Sequence, residues 1–310
     1  MKSIKKSKLN FIYLFLTVWL LSCSKKEQPS PNQIKIATLE ETVYSTLPSV
    51  LPRTVKYTFE YDQQDRISRI NDRKFQYGEG NKVSSSRIHR VTQIGSGVTA
   101  EYIESLIYEW DLKGRILNII ADSLYYHTYS KSNGTVTTMT ESLLRRSLVA
   151  DYQYNGSGKS PAVTNYWADY DAWGKGKRLE TIHLIYNGNN ISRTRQELRT
   201  LFHPGPGYEE TYKKDIYQHY RYDRNPHPLY GAYLQLGFHP YNYGFVVPEH
   251  HPASIFSEIQ HQDDSPSVNP DWNNAEKFVS VYNSSGYATS IQSTPNIGGS
   301  SWRTLVITYY

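Results

Sequence analysis

Residues 57–70 read YTFEYDQQDRISRI, and residues 106–119 read LIYEWDLKGRILNI. In the first, Val55, Tyr57, Phe59 and Tyr61 alternate with Lys56, Thr58 and Glu60, the period of two that puts one set of side chains on each face of a strand. The alternation stops at an aromatic followed by Asp, and after two further residues comes Asp or Gly, then Arg, then a fresh apolar run. An Asx side chain at the start of such a turn can accept from backbone N–H two residues on. The last turn position calls for φ > 0, which Gly adopts freely and Asn or Asp better than most. Together these residue types predict a hairpin loop of three to five residues built on a type I turn.

The same signature recurs along the chain as Tyr61-Asp62 with Asp65, Trp110-Asp111 with Gly114, and Tyr154-Asn155 with Gly158. It returns as Tyr170-Asp171 with Gly174, Tyr186-Asn187 with Asn190, and Tyr282-Asn283 with Gly286, while Tyr77-Gly78 with Asn81 is a near match. Tyr61 to Tyr77, Tyr154 to Tyr170 and Tyr170 to Tyr186 are each 16 residues apart, whereas other steps are longer, which disfavours a strict solenoid. Arg66, Arg115 and Lys159 follow the turns. No segment carries a capped stripe of helical period. The expectation is an all-β fold, an antiparallel meander of hairpins curving into a half-barrel or open-barrel sheet. Gly114 and Gly158 are expected at φ > 0, and Tyr61, Trp110, Tyr154, Tyr186 and Tyr282 at equivalent, largely buried sites with their polar tips near the rim.

The N-terminus carries a different message. Lys2, Lys5, Lys6 and Lys8 precede an apolar run from Leu9 to Leu21, of signal-peptide length and too short to span a bilayer as a helix. The run ends Leu20-Leu21-Ser22-Cys23, the pattern of a bacterial lipobox, in which a small residue permits cleavage and the thiol takes a diacylglycerol. Cys23 is the only cysteine, so it has no disulfide partner within the chain. Residues 1–22 therefore read as a lipoprotein signal peptide, 23–52 as a lipid-anchored tether beginning with the polar stretch Ser24–Pro31, and 53–310 as one β-sheet domain. Acyl chains hold a domain on a membrane at about 0.8 kcal/mol per buried methylene. By resemblance to Gram-negative lipoproteins, Ser24 is not the aspartate of inner-membrane retention, so the expected place is the outer membrane. The periplasmic and surface faces both stay open.

Removing residues 1–22 takes away four lysines and no acids, lowering the formal charge from +5 to +1. A near-neutral chain has no general electrostatic drive toward nucleic acid, and none is expected as a partner. Tyrosine is the compositional outlier, with 28 against 9 phenylalanines, and suits broad sheet faces with an apolar body and a polar tip.

Residues 224–275 break the hairpin rhythm with seven prolines, among them Pro226, Pro228, Pro240, Pro248 and Pro252. Proline donates nothing to a ladder. The stretch reads as a loop excursion covering an edge or end of the sheet, with a short helix near 253–259. His239, His250, His251 and His261 gather there with Glu249, Asp263 and Asp264, but without the spacing of a zinc site. No metal, cofactor or catalytic residue is expected. Tyr166, Trp167, Tyr170 and Trp173, interleaved with Asp169 and Asp171, are the candidate binding residues. Exposed rings beside carboxylates suit a glycan, whereas packing on the sheet is the structural alternative.

The two quoted stretches resemble the tyrosine-aspartate repeats of Rhs-type shell proteins. Together with the lipobox, they more closely resemble a family of Bacteroidetes lipoproteins with a porin-like, strongly curved β-sheet. Residues 220–231, YRYDRNPHPLYG, are similar to that family's Tyr-Asp-x-x-Pro-Asn-Pro-Phe stretch, with His227 for the asparagine and Leu229 for the phenylalanine. The resemblance implies the fold and assigns no activity. The sequence points to a cell-envelope module that binds or scaffolds, with a glycan or an envelope protein as partner. The alternative is a glycan-acting enzyme with its site near 224–275.

Overall fold

The computed structural model describes residues 35–45, 47, 49–95, 97–132, 135–169, 176–205, 207–260, 270–294 and 301–310. Cys23, Tyr170 and Trp173 lie outside them, as do His261, Asp263 and Asp264.

The strands are β1 (Ile36–Ser45), β2 (Arg53–Tyr61), β3 (Ile67–Ile70), β4 (Arg73–Tyr77), β5 (Val83–Gly95), β6 (Val98–Trp110), β7 (Ile116–Ser132) and β8 (Thr135–Gln153). They continue as β9 (Val163–Asp169), β10 (Gly176–Asn187), β11 (Asn190–Gly205), β12 (Gly207–Pro226), β13 (His250–Gln260), β14 (Glu276–Tyr282), β15 (Ala288–Thr294) and β16 (Ser301–Tyr309). Each pairs antiparallel with its neighbours in sequence, and β1 also pairs with β16, through Leu39↔Ile307 and Val43↔Arg303. The meander therefore closes into a 16-strand barrel, further than the half-barrel or open sheet that the sequence suggests. Closure removes the two free edges that an open sheet would leave to solvent. The barrel begins at Ile36, inside the stretch read as tether.

Even-to-odd connections fall at one end of the barrel; apart from the long β12–β13 connection and the Tyr77-Gly78 variant between β4 and β5, they are the aromatic-Asx turns. Asp62 Oδ1 accepts from the backbone N–H of Gln64 and of Arg66, each at 2.9 Å, while Oδ2 accepts from Arg66 Nε at 2.7 Å. Asp111 does the same with Lys113 and Arg115, and Asn283 with Ser285 and Tyr287. The closing residues Asp65, Gly114 and Gly286 have φ of 62°, 72° and 82°. Two copies differ: at Tyr154 the left-handed residue is Gly156 (φ 65°) and not Gly158, and at Tyr186 it is Gly188 (φ 63°) and not Asn190. Those two loops bend earlier, so the spacing that looked equivalent in sequence is not.

Most aromatics at this rim reach back to the start of a strand, whereas Tyr186 donates to the carbonyl of Pro161 in the loop before β9 and Tyr282 to the Asp223 carboxylate. Tyr61, Tyr77, Tyr154, Tyr222 and Tyr309 donate their hydroxyls to the carbonyls of Ile36, Ile67, Ile116, Ile191 and Ala288, each the first residue of the preceding odd strand except Ile191, the second of β11. Trp110 Nε1 does so to Val83 at 2.7 Å. Cations cover these rings: Arg66 lies 4.3 Å over Tyr77, Lys82 4.7 Å over Trp110 and Arg115 4.4 Å over Tyr154.

Residues 227–249 enter the lumen. Tyr241 stacks on Tyr57 of β2 with centroids 4.0 Å apart, and Phe238 stacks on Tyr108 of β6 at 4.7 Å. Tyr152 of β8 donates to Tyr243 O at 2.6 Å, and Thr164 of β9 to Gly244 O at 2.7 Å. A segment that meets strands around the closed wall in this way runs through its middle. Its one helix, α1 (Tyr230–Leu236), ends at Gly237 with φ 80°. Gln235 binds the start of β3, accepting from Ile67 N at 3.1 Å and donating to Asp65 O at 3.2 Å. Leu229, Ala232, Leu236, Phe238, Tyr243 and Val247 are buried in one cluster with Leu39, Phe59, Ile119 and Ile307 of the wall. The excursion is thus a plug, not an edge cover. Residues 253–259 are strand, within β13, and Pro252 sits where the β12–β13 register shifts.

The outer face is polar. Lys56, Glu60, Lys74, Arg87 and Lys277 are exposed on strands whose alternate residues face the core, and Arg193, Arg195, Glu197 and Arg199 line up along β11. Glu109–Asn118 and Asp151–Asn165–Thr181 form hydrogen-bonded rows across β6–β10. Val279, Val281 and Val306 make a local apolar patch over β14–β16, and Val91, Leu148 and Ile185 are further exposed apolar residues on β5, β8 and β10. Barrels that span membranes carry an apolar outer band about 25 Å tall around a polar interior. This barrel has the reverse arrangement over its described residues, among which no helix is long and apolar enough to cross a membrane.

Candidate lumenal binding site

The plug does not fill the lumen evenly. Between it and β10–β14, β16 and β1 lies a cavity of about 480 Å³, within the range of small-molecule sites. Its walls are apolar where Ile182, Leu184 and Ile191 face Val246 and Val247, and Phe278 and Leu305 complete that surface. The strand period produces this: Leu184 and Thr194 pair across β10–β11, and the same parity brings Gln196, Gln218 and Tyr220 inward.

Three charged side chains line the cavity. Arg303 of β16 lies 3.5 Å from Glu41 of β1 and 3.8 Å from Glu276 of β14, so one guanidinium serves two carboxylates. Closure of the barrel creates this group, because Glu41 and Arg303 sit on the first and last strands.

Three histidines line it as well. His227 Nδ1 accepts from Leu229 N at 3.1 Å, and His239 Nδ1 accepts from Asn242 N at 3.1 Å. A backbone N–H on Nδ1 fixes the neutral tautomer with its proton on Nε2. Burial pushes His227 well below the usual imidazole range, with His251 and His239 adding repulsion, and pushes His239 down to about 3. It pushes His251 down to about 4, with nearby Asp223 pulling the other way. His251 is 6% exposed, and its Nδ1 is buried with no hydrogen-bond partner. Its ring stacks on His227 at 5.5 Å and meets Phe278 edge-on at 5.6 Å.

Of the ring residues nominated from sequence, the two that are described, Tyr166 and Trp167, take opposite faces of β9. Tyr166 shares the inward parity of Thr164 on β9 and packs on the plug at Gly244, where a Cβ would stand 2.8 Å from its own. Trp167 takes the opposite face, half-buried, with Nε1 buried and unpartnered. Of the clustered histidines, His239 and His251 reach the cavity, while His250 bonds Asn190 at 2.9 Å. Glu41, Glu276, Arg303 and His227 were not singled out, and only the pairing of chain ends would have pointed to the first three.

No family model matches the chain, and no curated protein does. Two solved structures are similar in outline. A porin-like protein from Bacteroides vulgatus aligns over 90% of this chain and 99% of its own, with 10% identity and a TM-score of 0.38. A porin-like protein from Bacteroides uniformis aligns over 89% and 98%, with 11% identity and a TM-score of 0.32. Function therefore rests on this chain's own residues.

Proposed function

We propose that this is a lipid-anchored binding protein of the cell envelope, held to the outer membrane through Cys23, with its barrel outside the bilayer and its ligand site in the lumen. The observation that carries the reading is the cavity itself. A polar-walled barrel, closed and plugged, keeps a space of about 480 Å³ lined on one side by aliphatic side chains and on the other by an ion group and imidazoles. A core that only supported the fold would be expected to fill that space at crystal-like density. Among the residues nominated earlier, Trp167, on the outer face of β9, is the contact for a glycan or an envelope protein, and Tyr170 and Trp173 are proposed with it on their sequence alone.

The enzyme alternative meets a geometric objection. Glycosidases hold two carboxyl groups apart on either side of the scissile bond. Glu41 and Glu276 instead both reach the same Arg303 guanidinium. That is ion pairing, and the reading favoured is binding without turnover.

The test is native mass spectrometry of the full acylated chain extracted from its own membranes. The expected result is a diacylglycerol-modified Cys23 and a bound small molecule that disappears in Leu184→Trp, which fills the cavity. Unmodified Cys23 would overturn the anchor, and adducts unchanged in Leu184→Trp would overturn the lumenal site.

A further inference from the structure

We propose that the lumenal cavity takes a small organic monocation, a protonated amine on an apolar body. This inference rests on the reading of the cavity as a ligand site and names what that site selects.

Charge comes first. Among the described residues, the ionised side chains on the cavity wall are Glu41, Glu276 and Arg303, two negative and one positive, so this lining carries one formal negative charge in excess. The imidazoles do not offset it, since burial keeps His227, His239 and His251 neutral at pH 7. An anion entering this space would meet one guanidinium already engaged by two carboxylates. A cation would restore neutrality beside Glu41 and Glu276, whose carboxylates are largely withdrawn from solvent, so that an unbalanced charge interacts more strongly there than in bulk water.

Hydrogen-bonding capacity points the same way. Three nearby side-chain donors are already committed: Tyr220 donates to Gln218 Oε1 at 2.8 Å, Gln218 to Ser257 Oγ at 3.2 Å, and Gln196 to Glu180 Oε2 at 2.9 Å. The unsatisfied group is His251 Nδ1, a buried nitrogen whose tautomer no neighbour on that atom fixes. Leaving such a nitrogen unpaired is costly, and an ammonium N–H can pair it. One side of the wall, made by Ile182, Leu184, Ile191, Val246 and Phe278, is apolar and suits an apolar body.

The experiment is calorimetric titration of the full acylated chain in nanodiscs with three probes of one shape: 2-phenylethylamine, 2-phenylethanol and phenylacetate. The amine is expected to bind at least about tenfold more tightly than the alcohol, a difference of about 1.4 kcal/mol, with the carboxylate weakest. Glu276→Gln should erase the preference for the amine over the alcohol. Phenylacetate binding as tightly as the amine, or a preference unaltered by Glu276→Gln, would overturn the monocation assignment while leaving the cavity a ligand site. Alcohol and amine both failing to bind wild type, at millimolar concentration, would overturn the ligand-site reading itself.

Discussion

Trp110 Nε1 donates to the carbonyl of Val83 at 2.7 Å, from the last residue of β6 to the first of β5. Tyr154 and Ile116 repeat that relationship at 2.9 Å two strands further on, as do Tyr61 with Ile36 and Tyr77 with Ile67. The repeat legible in sequence is therefore a device for the rim. The Asx side chain closes a hairpin, the ring before it caps an end-of-strand carbonyl, and the cation after it covers the next ring. Removing one cap leaves a carbonyl without its partner. Tyr154→Phe is expected to destabilise the barrel by about 1–2 kcal/mol, read as a lower urea midpoint with an unchanged slope. A midpoint within error of wild type would show that water replaces the hydroxyl at no cost.

The turns give a contrast between two glycines. Gly114 has φ 72°, whereas Gly158 lies outside the left-handed region. Gly114→Val should cost on the order of 1–2 kcal/mol. Gly158→Val, on an exposed loop, should stay within about 0.5 kcal/mol of wild type. Equal losses in the two variants would mean that strain at this position is not what the repeat glycine serves.

The difference between those glycines marks how far the sequence could be read. Strand period and turn chemistry are local, so β2 with its Tyr57, Phe59 and Tyr61 was legible, and so were the turns at Asp62, Asp111 and Asn283. Closure is not local. Ile36–Ser45 carries Glu40 and Glu41 in its middle and a register shift between Ile36 and Thr38, which hides its period of two. That strand was absorbed into the tether, and with it went the pairing that creates the Glu41–Arg303 contact. Prolines in 224–275 were rightly read as breaking the hairpin rhythm. Nothing in them says whether such a segment lies over a sheet or inside it, and once the sheet closes the apolar residues Leu229, Leu236 and Phe238 fit only inside.

Plug seating depends on a close approach. At Gly237, φ is 80° and a Cβ would stand 2.4 Å from Trp110 Cη2. Gly237→Ala should therefore cost on the order of 2–4 kcal/mol, combining backbone strain with overpacking. It should also shift indole emission to the red as Trp110 is displaced. A variant with wild-type emission and melting temperature would mean that the plug is loosely held.

Stability should fall in mild acid. Burial holds His239 near 3 and His251 near 4, against 6.5 for an exposed imidazole. Between these values the unfolded chain binds more protons than the folded one, so stability rises with pH there. The histidine contribution is complete above about pH 6.5 and is lost as pH falls toward 4. Asp223 lies close enough to His251 to moderate the effect. The urea midpoint should drop between pH 7.5 and 5, and His239→Asn should flatten that dependence. A midpoint constant over this range would show that the imidazoles are better hydrated than their packing implies.

The reversed polarity of the wall can be tested in one measurement: the solubility, without detergent, of the mature domain carrying Cys23→Ser. With a polar outer face and a packed lumen, the unacylated protein should stay monomeric in plain buffer by light scattering and remain in the aqueous phase on detergent partition. Aggregation in buffer, or transfer to the detergent phase without acyl chains, would mean that the wall itself enters the bilayer, and the anchored, lumen-binding barrel would be the wrong description.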